Sequence, residues 1–328
     1  MVTQTAFHRK LTGSDLTAYA LKAAFSSLDL LGNRLLLQRS LRTSKNIIPE
    51  VPYGDHPKQR MDIVSLDRER PYPILVYFHG GGFIVGDKAG YRGVCNGFVQ
   101  HGYLTFNVNY RLAPRYRCHM QLADVASALA WIYHHAGDYG GDRRRIFLAG
   151  DSAGALHVSW YASALGKIDL LKSLGIDCVI PREALKGLLL FYGVYDLETV
   201  LNSGFPFIKT FVKSFLGDRK RPFREQARLW SPMRHVVANM PPTFICAGER
   251  DGLFGQSAQY AEALENKGVN TSTLFFSASA YPDATHGFLY FPTRTCTQTA
   301  FREAARFMAH MTDSRQKNGS LRYLDRST

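Results

Sequence analysis

Residues Ile146-Phe147-Leu148-Ala149-Gly150-Asp151-Ser152-Ala153-Gly154 decide the reading of this chain. A short apolar run leads into G-x-S-x-G, and a helix-forming stretch follows. That order predicts a strand, a sharp turn and a helix, with the serine hydroxyl pushed clear of the backbone at the turn. The flanking glycines fit because a Cβ there would collide with the neighbouring strand or helix. A serine hydroxyl is a poor nucleophile at neutral pH, so Ser152 needs a base and donors for a developing oxyanion.

Working outward, apolar strands alternate with helical periodicity. Strands are expected at Met61–Val64, Ile74–Phe78, Leu104–Tyr110, Ile146–Ala149, Leu188–Tyr192, Thr243–Ala247 and Thr273–Phe276. Helices are expected at Leu122–His135, Ala153–Leu165, Gln256–Lys267 and Thr299–Met311. The alternation predicts an α/β fold with a mostly parallel central sheet and helices on both faces. Ligands bind such sheets outside the C-terminal strand ends, where Phe78 and Ala149 both stop. Two segments break the alternation. Residues 1–48 read as helical, with Leu16, Tyr19, Ala20, Ala23 and Ala24 on one face and Leu28, Leu31 and Leu35 continuing it. Residues 196–235 carry Phe205, Phe207, Phe211 and Phe215, whose near-helical spacing favours packing within a cap over lining a pocket. Val51–Pro57 reads as a turn-rich link. With no repeat or Gly/Ser linker, residues 1–328 are expected to form a single domain, with cap elements from 1–48 and 196–235.

A second motif, His79-Gly80-Gly81-Gly82-Phe83, follows the Ile74–Phe78 strand, 73 residues before Ser152. Three glycines let backbone N–H groups turn toward a substrate, as an oxyanion hole requires. The base and acid lie downstream in this type of fold, in the order serine, carboxylate, histidine. The candidate histidines are His286, His235 and His310; the candidate carboxylates are Glu249 and Asp251, with Asp196 read as a turn residue.

Tyr77–Phe83, Asn109–Pro114, Gly150–Gly154 and His286-Gly287-Phe288 together resemble the hormone-sensitive-lipase branch of the α/β-hydrolase esterases, from about residue 53 to residue 310. The resemblance implies an α/β-hydrolase fold and assigns roles. Ser152 is the nucleophile, His286 the base and Asp251 the carboxylate that orients it. Gly81, Gly82 and Ala153 hold the oxyanion, while His79 and Gly80 support the loop. It implies no cofactor and no metal. The chain departs from the pattern at Arg115, where glutamate is usual, at Ala155, where a second glycine is usual, and at Gly252, where proline is usual. Ala278–Asp283 reads as a small insertion. Tyr53-Gly54 with Gln59–Ile63 also resembles relatives that include kynurenine formamidases.

The expected function is therefore a serine carboxylesterase acting on small esters of short to medium acyl chain. An amidase of the kynurenine-formamidase type and a non-catalytic ligand receptor on the same fold are the alternatives. The net charge of +13 lies in separate clusters without a nucleic-acid motif, so a basic solvated surface is expected and no nucleic-acid partner. No run of 18 apolar residues and no signal-peptide pattern is found, and five scattered cysteines show no zinc spacing. The expectation is a cytoplasmic protein without stable membrane insertion, whose partners are a small-molecule ester and at most a second copy forming a homodimer.

Overall fold

Continuous apolar runs of four to seven residues form strands buried on both faces, and the computed structural model shows how they are ordered. It describes residues 15–24, 46–66, 71–177, 180–217 and 221–312. Among these, eight strands make one sheet: β1 Asn46–Pro52, β2 Arg60–Ser65, β3 Tyr72–Phe78, β4 Leu104–Val108, β5 Gly141–Asp151, β6 Leu185–Phe191, β7 Thr243–Gly248 and β8 Thr271–Phe276. Their spatial order is β1-β2-β4-β3-β5-β6-β7-β8. From β4 to β8 every pairing is parallel; β1 and β2 are antiparallel to their neighbours.

The helices are α1 (15–24), α2 Lys88–Val99, α3 Cys118–His135, α4 Ala153–Ala164, α5 Ile168–Ser173, α6 Ile208–Leu216, α7 Phe223–Trp230, α8 Phe254–Glu265 and α9 Thr295–Thr312. Alternate strand residues face opposite layers. Ile74, Val76, Ile146 and Leu148 join α3, α4 and α8 in one core; Leu75, Tyr77, Phe147 and Ala149 join α2 and α9 in the other. Both faces of β3, β6, β7 and the second half of β5 are therefore dry, which explains why these central strands read as apolar runs, while the edge strand β8 is half-buried. In register, Phe78 lies opposite Gly150 and Asp151 opposite Phe191. The glycine motif after β3 and the serine after β5 thus emerge side by side at the C-terminal edge of the sheet.

The structure corrects four expectations. Residues 46–48 are not helical, and Val51-Pro52 is not part of a link: both belong to β1, where Ile47 pairs with Val64 and Val51 with Met61. The expected apolar face of α1 points outward, with Leu16 58% exposed. Asp15 and Ala18 face the body instead, because Arg117 Nη2 holds Asp15 Oδ1 at 3.2 Å. Leu28, Leu31 and Leu35 lie outside the described residues. Helix α2 was not expected, since Gly90, Gly93 and Gly97 weaken its helical signal; yet Tyr91, Val94, Cys95 and Phe98 are buried on one face, and Asp87 caps it by accepting from Ala89 N at 3.1 Å. The fourth correction concerns the phenylalanines of residues 196–235 and is given with the cavity that they border.

Candidate active site

Ser152 stands between β5 and α4 with φ 50° and ψ −116°, a conformation that costs energy for any residue with a Cβ. It is held by β6, whose Phe191 O accepts from Ser152 N at 2.9 Å. Gly154 allows the turn: a Cβ there would lie 2.0 Å from Phe78 O. The serine Oγ lies 3.0 Å from His286 Nε2, and His286 Nδ1 lies 2.8 Å from Asp251 Oδ2. Asp251 follows β7 and is 4% exposed; its other oxygen accepts from Leu253 N at 2.8 Å. In the neutral ring, Nδ1–H donates to Asp251 and Nε2 accepts the serine hydroxyl, the polarity a general base requires. The rings of Tyr192 and Phe205 meet the imidazole edge-on at 5.0 and 4.6 Å.

The glycine loop reaches the same place from β3. His79 is fully buried and stacks on Tyr110 at 4.5 Å, and its Nδ1 donates to Gly80 O at 2.7 Å. Burial holds its pKa below the usual histidine value, so the ring is a neutral brace. Gly81 adopts φ +116°, and a Cβ there would sit 2.2 Å from Val85 O. Its carbonyl accepts from Ile84 N and Val85 N at 3.2 and 3.0 Å, closing the turn. Gly81, Gly82, Ser152 and Ala153 line one cavity. Ala153 opens α4, whose N-terminus favours negative charge. Gly80 N is directed elsewhere, to Asp151 Oδ1 at 2.8 Å and to Tyr91 Oη at 3.0 Å.

The cavity holds about 480 Å³ and its walls are mainly apolar, with Val194, Ile208, Leu253 and Phe291 among them. Phe205, Phe207 and Phe211 also line it. Their expected role in packing within a cap is corrected here. Of the four phenylalanines, only Phe215 is wholly interior, stacking on Phe83 at 4.1 Å. Only Phe211 and Phe215 lie on α6, which covers the sheet edge so that one side of it faces the cavity; Phe205 and Phe207 precede the helix. Among the described residues that line the cavity, Asp151 is the one carboxylate.

The remaining candidates lie elsewhere. His235 Nε2 contacts Leu229 O at 2.8 Å, and His310 sits on α9. Glu249 is exposed and accepts from Ala278 N; Asp196 accepts from Glu198 N at 2.9 Å, a turn contact. Arg115 stacks on Tyr116 at 5.3 Å, and Ala155 packs toward Gly193 away from the cavity lining. Among the described residues no cluster of histidine, cysteine or carboxylate side chains could hold a metal ion, and no helix is long and apolar enough to cross a membrane. Asp151 had no expected role, although it stands inside the motif. Its carboxyl group accepts from Tyr77 Oη at 3.0 Å and Tyr91 Oη at 3.1 Å as well as from Gly80 N. Burial, opposed by these donors and by His286, pushes its pKa up to about 6.

The family described as alpha/beta hydrolase fold matches residues 75–290. Esterase LipQ of Mycobacterium tuberculosis is 30% identical over 252 residues, covering 73% of this chain and 56% of that protein. A probable isoprenylcysteine alpha-carbonyl methylesterase of Oryza sativa is 24% identical over 258 residues, covering 76% of this chain and 61% of that protein. The chain thus spans little more than half the length of these relatives. Among solved structures, esterase B of Lactobacillus rhamnosis superposes with a TM-score of 0.81 at 20% identity, covering 92% of this chain and 96% of that one. At that identity the likeness is one of fold.

Proposed function

The chain belongs to the α/β-hydrolase fold family, and we propose that it is a serine carboxylesterase acting on small esters of short to medium acyl chain. One observation carries the reading: the hydrogen-bonded series Ser152–His286–Asp251, at 3.0 and 2.8 Å, opens on a cavity that Gly81, Gly82 and Ala153 also line. The esterase names of the related proteins support it, as do apolar walls that suit an uncharged acyl chain.

Ser152 Oγ attacks the ester carbonyl while His286 Nε2 takes its proton, and Asp251 stabilises the resulting imidazolium. The backbone N–H groups of Gly81, Gly82 and Ala153 receive the oxyanion. The C–O bond to the alcohol breaks as His286 returns the proton to the leaving oxygen. Water then attacks the acyl-enzyme with His286 again as base, releasing the acid and restoring the serine. The described residues of 196–217 and 221–235 act as a cap over the sheet edge. Helix α1 joins them through Arg117, which pairs with Asp15 and packs against Gly217.

Hydrolysis of p-nitrophenyl esters graded from acetate to palmitate tests the reading. The expected optimum lies at short to medium chains, and Ser152→Ala should lower kcat by roughly 10⁴- to 10⁶-fold. A fully active Ser152→Ala variant would overturn the mechanism; faster turnover of an aryl formamide than of any ester would overturn the substrate class.

A further inference from the structure

Asp151 immediately precedes the proposed nucleophile and closes β5, where pairing with Phe191 fixes its backbone. Its carboxyl group reaches across to the strand end that carries the glycine loop. Oδ1 accepts from Gly80 N at 2.8 Å and from Tyr77 Oη at 3.0 Å; Oδ2 accepts from Tyr91 Oη at 3.1 Å. Tyr91 Oη in turn accepts from Gly80 N at 3.0 Å. Every one of these groups is buried.

The consequence for the oxyanion donors follows from peptide geometry. The peptide joining His79 to Gly80 is held through its N–H by Asp151. The next peptide, from Gly80 to Gly81, is held through its carbonyl by His79 Nδ1 at 2.7 Å. In a trans peptide the C=O and N–H point in opposite directions. With Gly80 O turned to the His79 ring, the N–H of Gly81 is aimed away from it. Two consecutive peptide planes are thus fixed from opposite sides, in a loop whose glycines would otherwise leave it free. An oxyanion hole works because its donors are in place before charge develops.

We infer that Asp151 is a positioning residue: its side chain locks the root of the glycine loop to the serine turn and so sets the aim of the Gly81 and Gly82 N–H groups. The inference rests on the esterase reading. Its effect acts through Gly80, so it concerns the transition state and leaves substrate binding unchanged. The same carboxyl oxygens can be mimicked by an amide. In the Asp151→Asn variant the amide oxygen would still accept from Gly80 and Tyr77, and the NH₂ would donate to Tyr91 Oη.

The test uses the full chain and a short p-nitrophenyl ester. Asp151→Ala should lower kcat on the order of 100-fold, because small displacements at a reacting centre cost that much. KM should stay within about twofold, as expected when only a transition-state interaction is lost. Affinity for a trifluoromethyl ketone, which adds to Ser152 and places an oxyanion in the hole, should fall in parallel. Asp151→Asn should restore most of kcat. Near-UV circular dichroism checks that each variant is folded. If the alanine variant fails to fold, Tyr91→Phe decides, with kcat expected to fall severalfold at unchanged KM. A folded Asp151→Ala protein with wild-type kcat overturns the inference, as does a Tyr91→Phe protein with wild-type kcat where only that variant folds. An asparagine variant as slow as the alanine one also overturns it, since charge would then matter in place of hydrogen bonding. Absence of ester hydrolysis by the wild-type chain overturns the esterase reading itself, so the two failures are distinct.

Discussion

At Asp151 two effects oppose each other. Three donors face the carboxyl group and favour its anion, while 2% exposure disfavours any charge. Burial prevails, and the pKa rises from 3.8 to about 6. The folded state therefore binds this proton more tightly than the unfolded state does. Its contribution to stability is fully present below pH 3.8 and is lost as pH rises through 6; the loss is about 3 kcal/mol. An asparagine at this position does not titrate. The thermal midpoint of Asp151→Asn should thus gain on wild type by a few degrees between pH 4 and pH 7.5, as scanning calorimetry would read. A gap that is constant or shrinks with rising pH would contradict this balance. The residue scale also shows what the sequence makes legible. Ser152, Asp251 and His286 stand next to recognisable strand ends and glycine turns, so their positions could be read. Asp151 stands inside the same motif, yet its role depends on Tyr77 and Tyr91. Those lie 74 and 60 residues away in sequence, and no local pattern connects them.

At the scale of elements, periodicity identifies a helix more readily than it identifies what the helix faces. Helix α4 is buried on every side, because it passes between the sheet and the helices above it. Helix α1 turns its polar Asp15 side inward because an arginine waits there, against the expectation from its apolar residues. Helix α6 has two apolar aspects, one toward the core at Phe215 and one toward the cavity at Phe211. Phe211 lies across Gly82, where an added Cβ would reach its ring at 2.8 Å, so its side chain limits the space next to the oxyanion loop. Phe211→Ala should enlarge that space and shift the preference toward longer acyl chains. One methylene in an apolar pocket is worth about 1–3 kcal/mol, so the ratio of kcat/KM for a long ester over a short one should rise by roughly tenfold or more. Taking a ratio cancels any loss of folded enzyme. An unchanged ratio would show that Phe211 does not bound the acyl site.

For the whole molecule, the parallel part of the sheet was readable because each βα unit is local and both faces are apolar. Strand β2 was readable at Met61–Val64, but β1 and the antiparallel attachment were not, since that attachment is non-local: Met61 of β2 pairs with Val108 of β4. What secures this antiparallel pair is partly electrostatic. Lys88 of α2 is 1% exposed and donates to Asp62 of β2 at 2.6 Å and to Glu50 of β1. Arg92 Nε holds the other Asp62 oxygen at 2.7 Å. Asp62 is fully buried and pairs with both cations. Removing one partner of a buried pair leaves an uncompensated charge, whereas removing both can be nearly neutral. Lys88→Met should therefore cost about 3–5 kcal/mol. The double variant Lys88→Met with Asp62→Leu should cost much less than the sum of the two single changes, giving a coupling of about 1–3 kcal/mol. Urea unfolding at pH 7 of the four proteins in this cycle measures both quantities. Strict additivity would mean that Lys88 and Asp62 do not share an interaction, and the charged part of the attachment would then fall to the Arg92–Asp62 and Lys88–Glu50 pairs, beside backbone pairing and the apolar contacts of Met61, Ile63 and Val64.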